Sequence, residues 1–181
     1  MEETAKKRTS STKIIIIVIA VLALLTGILA AINLGKSGER RELLEAAEIR
    51  VMKGDTQAGI ITMETVEALP SQDFSANLKS TGNDPVEHTY TGVPLSAVLK
   101  EAGISLGDSQ RVLAVSADGY TVPMDREEVE KEDNIYLVYQ DNGEYLGSLD
   151  DKDGQGPYMI VIRDDAFSQR WGKYVVELEL E

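Results

Sequence analysis

The chain of 181 residues contains no cysteine, one histidine, one tryptophan and two phenylalanines. Without cysteine there can be no disulfide, no thiolate metal centre, no catalytic thiol and no lipid attached through sulfur. A single histidine, His88, excludes an imidazole metal cluster within one chain. Positive charge is also scarce, with 18 Lys and Arg against 31 Asp and Glu, a formal net charge of −13. Such a surface repels phosphate backbones, so no nucleic-acid partner is expected. The imbalance is not uniform. Residues 1–13 hold Lys6, Lys7, Arg8 and Lys13 against two acids, whereas the rest holds 14 basic and 29 acidic side chains, a formal −15.

The longest feature is Ile14–Ile32, 19 residues with no charge and one hydroxyl, Thr26. A helix of that length roughly spans a hydrocarbon core of about 30 Å. A cleaved signal peptide has an apolar region of about 7–15 residues followed by a small-x-small site. Here the run is longer, and Ile32-Asn33-Leu34-Gly35 does not supply that pattern. The expectation is an uncleaved anchor over 14–33, with the bilayer lipid as its partner. The basic tail 1–13 favours a cytoplasmic N-terminus, although Lys36, Arg40 and Arg41 follow the run closely and weaken the bias. The sequence is therefore read as a single-pass protein of the cell membrane, with its globular part outside the cytoplasm.

Residues 34–47 read as a juxtamembrane stalk helix, with Leu43, Leu44 and Ala47 on one stripe. A globular domain is expected over 48–181. Thr62 caps a short helix that Pro70 closes. Phe74, Ala76 and Leu78 alternate with polar residues, as in a half-buried strand. Pro94 opens a helix through Leu95, Val98, Leu99 and Ala102 that Gly103 stops. Asp118-Gly119 and Asn142-Gly143 signal hairpins, and Asp125 with Glu128 forms a capping box. Tyr158–Ile162 and Tyr174–Leu180 complete a set of short strands with small helices between them. The fold class is α+β with a mixed sheet, preceded by one transmembrane helix.

Four of these pieces come in a telling order: Thr62–Pro70; Tyr90-Thr91-Gly92-Val93-Pro94-Leu95 with Ala102-Gly103; Ala117-Asp118-Gly119-Tyr120; and Gly156-Pro157 with Trp171 and Lys173-Tyr174. Together they resemble the molybdopterin-binding domain of the sulfite-oxidase-like oxidoreductases over residues 48–181. The resemblance implies that fold and a cleft for a molybdenum pterin. In that family a cysteine thiolate binds the metal, soft sulfur on a soft ion. The corresponding position here is Ser80. The family also meets the pterin phosphate with cations, which implies Lys173, Arg163 and Arg170 as cleft residues, with His88 facing the cofactor.

With no cysteine and an acidic surface, no cofactor is expected, although molybdopterin is the one the resemblance implies. The expected function is a molybdenum-free module, anchored to the membrane, that binds a ligand or a protein. Its rivals are a working oxidoreductase that passes electrons to a membrane protein partner, and a plain structural envelope domain. Asp150-Asp151-Lys152-Asp153-Gly154 invites comparison with a calcium loop. Counting from Asp151, however, the twelfth residue is Ile162 rather than the closing glutamate, and a solvated turn is expected there.

Overall fold

The computed structural model describes residues 2–79, 84–165 and 168–181. The chain divides into two compact units, Met1–Glu39 and Arg40–Glu181.

The first unit belongs to a long helix, α1 (Glu2–Ala46). Its most apolar 18-residue window has a mean hydropathy of 3.2, and the helix is long and apolar enough to cross a membrane. The apolar side chains from Ile14 to Leu34 lie open on every side, at 49–72% exposure. That all-round distribution differs from the one-sided stripe of a helix docked on a soluble core. α1 runs on through residues 34–46, most of the segment read as a juxtamembrane stalk helix. It stops at Ala47, whose φ of 51° is left-handed.

The second unit contains two five-stranded sheets. Sheet A runs in the order β2 (Thr56–Thr62), β1 (Glu48–Lys53), β10 (Val175–Leu180), β5 (Arg111–Ser116), β6 (Thr121–Asp125). Its one parallel pair is β1 with β10. Sheet B pairs β3 (Gln72–Leu78), β4 (Val86–Pro94) and β7 (Ile135–Asp141) in order, with β8 (Glu144–Tyr145) and β9 (Met159–Ile162) on the far side of β7. Both sheets feed one core, with Ile49, Val112 and Leu178 from sheet A and Tyr90, Leu137 and Ile160 from sheet B. This mixed α+β arrangement is the class expected from the sequence.

The local signals act where the sequence places them. The Thr62 hydroxyl accepts from Thr65 N–H at the start of α2 (Met63–Glu67). Asp125 and Glu128 form a complete capping box at α4 (Arg126–Glu130). Asn142 and Gly143 both have positive φ, 51° and 82°, as a two-residue turn between β7 and β8 requires. Pro94 proves to be the N-cap of α3 (Leu95–Glu101) rather than its first helical residue.

One irregularity positions everything described next. Along β4 and β7, Pro94 pairs with Tyr136, Gly92 with Val138, and then Tyr90 with Asp141, because the register shifts between Thr91 and Gly92. Residues paired across strands share a face, so this bulge moves Asp141 onto the face of Tyr136 and Val138. Without the extra residue Asp141 would point the other way. A glycine is required opposite the bulge, since a Cβ on Gly92 would lie 2.8 Å from the Leu137 carbonyl oxygen.

Candidate functional site

On the shared face of sheet B, His88 and Tyr90 follow each other along β4. Their rings stack, with centroids 5.7 Å apart and planes 8° from parallel. The bulge brings Asp141 beside them. His88 Nδ1 lies 2.9 and 2.8 Å from the two Asp141 carboxylate oxygens, so the Nδ1–H donates and the tautomer is set by that bond. Gln155 Nε2 donates to Asp141 Oδ2 at 3.4 Å. Lys173 is half-buried near the same carboxylate. Burial lowers the pKa of its ammonium, and the Asp141 charge opposes that shift. Tyr90 is fully buried, and burial, reinforced by Asp141, holds its hydroxyl far above the usual phenol range. Asp141 is therefore bonded by both His88 and Gln155, and its charge is felt by Tyr90 and Lys173.

Trp171 packs edge-on against Tyr90, with centroids 5.8 Å apart, and its indole N–H donates to the Ile162 carbonyl at 3.1 Å. Trp171 also lines a cavity of about 340 Å³ with Ala76, Asp133, Arg163 and Asp165. In this second region each cation has an acid of its own. The Arg170 guanidinium donates to Glu128 at 2.8 Å and to Asp165 at 2.5 Å. Arg163 pairs with Asp133 and lies 5.2 Å above the Phe74 ring. The Arg170 hydrogen bond holds the Glu128 carboxyl below its usual range, with burial opposing. The same contacts raise the Arg170 pKa still further, keeping it charged.

Of the candidate residues, His88 is bonded to Asp141, whose charge also acts on Lys173, while Arg163 and Arg170 take part in ion pairs elsewhere. Ser80 lies outside the described residues. Asp141 and Gln155 carry no sequence signal that singled them out. Asp141 sits in an Asp-Asn-Gly turn and gains its role only through the bulge. Gln155 gains its role by folding back across fourteen residues onto Asp141.

A family model for the oxidoreductase molybdopterin binding domain matches residues 40–181. The chain belongs to this molybdopterin-binding domain family. Among curated proteins none matches. A solved structure, the sulfane dehydrogenase SoxCD from Paracoccus pantotrophus, superposes with a TM-score of 0.59 at 22% identity. The match covers 74% of this chain and 37% of that one, so the chain spans well under half of the solved relative. That likeness establishes the sulfite-oxidase-like fold.

The residues of this molybdopterin-binding domain do not fit a thiolate-ligated molybdenum centre. The chain has no sulfur ligand of that kind, and the two arginines that would meet a phosphate are already held by Glu128, Asp165 and Asp133. Displacing those carboxylates with another anion gains little, because one ion pair is exchanged for another. Among the described residues no group of three or more His, Asp or Glu is placed to hold a metal ion.

Proposed function

We propose that this molybdopterin-binding domain serves as a molybdenum-free binding module, tethered to the cell membrane through Ile14–Ile32 with the domain outside the cytoplasm. One observation carries the reading. The family's donor set is absent on the metal side, with no cysteine, and occupied on the phosphate side, where carboxylates sit on Arg163 and Arg170. The half-buried cluster around Asp141 supports a polar ligand site in its place, because buried polar groups with open valences call for a partner.

The test is to express the full chain in a host that makes molybdenum cofactor, purify it in detergent, and measure molybdenum and pterin together. The expected result is neither above trace. Both near one per chain would overturn the reading in favour of an oxidoreductase that passes electrons to a membrane partner, with the Ser80 oxygen as the metal ligand to examine.

A further inference from the structure

A strand at the edge of a sheet exposes a row of backbone N–H and C=O groups, and folded proteins usually blunt such rows. Most edges here are blunted. β6 carries Pro123, which has no N–H, and the Pro123 carbonyl accepts from Arg170 at 3.4 Å. β3 carries the charge of Asp73, and just past its end the Ser168 hydroxyl bonds both the N–H and the carbonyl of Lys79. β8 has two residues, one of them Glu144. Ile160 of β9 donates to the Gly172 carbonyl at 2.8 Å. β2 is different. Its seven residues, Thr56–Thr62, include no charge and no proline, in a chain with 31 acidic and 18 basic side chains. β1 is its one neighbour in the sheet, and no backbone group of residues 56–61 bonds anything else among the described residues. One bulge interrupts it. Gly59 faces Val51 and Gln57 faces Met52, so Ala58 is the extra residue and Gly59–Thr62 is the regular edge. Within that edge Ile61 is buried, whereas Ile60 pairs with Arg50 on the opposite face and is 37% exposed.

We propose that β2 pairs with β2 of a second copy of this chain, antiparallel about a two-fold axis through Ile60. Residues opposite each other across strands share a face, so each exposed Ile60 side chain covers the other, and each Gly59 leaves room for the Ile61 opposite it. A two-fold contact needs a self-complementary patch. Two strongly acidic surfaces approach at least cost where neither brings a charge, and β2 is such a place. The regular pairing is too short for a free-standing dimer, which buries about 1,200–2,000 Å². Confinement to one bilayer raises the effective concentration of the second copy, so the inference rests on the membrane-tethered reading.

Because the chain has no cysteine, one introduced thiol reports one position. The full chain is reconstituted in phosphatidylcholine vesicles and treated with a short bis-methanethiosulfonate reagent. Ile60→Cys should cross-link copy to copy at least about tenfold faster than Gln57→Cys. Both positions are exposed on the same strand, but in this pairing the two copies of Gln57 stand about 20 Å apart. Equal rates at the two positions overturn the proposal, as does a rate at Ile60→Cys no faster than random collision. A second measurement needs no thiol in the strand. Energy transfer between copies labelled at Leu149→Cys should fall to the level of random mixing with Ile60→Lys, which sets like charges opposite each other, and should persist with Gln57→Lys. Transfer unchanged by Ile60→Lys overturns the proposal. Alkaline extraction of the same vesicles separates the two readings. A chain that washes off defeats the membrane tether, whereas a retained chain that fails to cross-link at Ile60→Cys defeats this inference alone.

Discussion

Trp171 stands between two regions that treat charge in opposite ways. On one side Arg163 and Arg170 each meet carboxylates, and Glu128, Asp133 and Asp165 are consumed in doing so. On the other, Asp141 bonds His88 and Gln155, while the Tyr90 hydroxyl and the Gln155 carbonyl have no partner among the described residues. A matched, half-exposed ion network adds modest stability and asks for nothing more. A buried group without a partner is costly, so it calls for one, an ordered water or another donor or acceptor. Two of the cations expected in a cofactor cleft by family likeness, Arg163 and Arg170, are thus already paired with carboxylates of this chain. The open chemistry lies around a carboxylate that the likeness does not name.

The largest expected effect comes from removing the divider. Trp171→Ala should cost about 3–5 kcal/mol in denaturant unfolding, since it deletes a buried indole, its bond to Ile162 and the edge contact to Tyr90. A loss below about 1 kcal/mol would mean that the indole is not part of the core.

Two tyrosines sharpen the comparison further. The Tyr136 hydroxyl is paired with Gln72 and Asp133, and burial and the Asp133 bond push it up to about 12. Tyr136→Phe should cost about 1–2 kcal/mol. Tyr90→Phe should be neutral or stabilise by up to about 1 kcal/mol, because its hydroxyl is buried without a partner among the described residues. Equal losses in the two variants, read from urea midpoints, would show that the Tyr90 hydroxyl is satisfied and would erase the difference between the regions.

The smallest effect is a pH dependence on the matched side. Folding lowers the pKa of Glu128 below its ordinary 4.5. Its contribution is therefore complete above that value and is lost as pH falls through the lower folded value. Glu128→Gln should be less stable than the parent near neutrality, with the gap closing as pH falls below 4.5. Stability curves of parent and variant that stay parallel across that range would break the assignment.

What the sequence disclosed and what it hid divide along the same physical line. Signals confined to a few neighbouring residues were legible. Asn142-Gly143 made its hairpin, Thr62 its cap, and Asp125 with Glu128 its box. The glycine of Tyr90-Thr91-Gly92-Val93-Pro94 was visible as part of a resemblance, but its reason was not. It leaves room for a strand bulge that only the pairing with β7 creates. β2 gave little sign of itself, as most of its residues are exposed and Gly59 interrupts any alternation. The site was half legible. His88 and Lys173 were singled out and both feel Asp141, but the acids that occupy Arg170 lie 5 and 42 residues away, and one of them, Glu128, is marked by the sequence only as a capping-box residue. Ion pairing at that separation leaves no local pattern to read.

The parallel pairing of β1 with β10 has a consequence for biosynthesis. β10 is made after every other strand described, yet it fills the middle of sheet A, between β1 and β5. Until it emerges, the growing chain carries two unpaired strand edges and an unfinished core. Closure of the sheet thus waits on β10 rather than proceeding by gradual accretion. A ribosome that stalls before Val175 releases a protein whose helix is complete and whose domain cannot close.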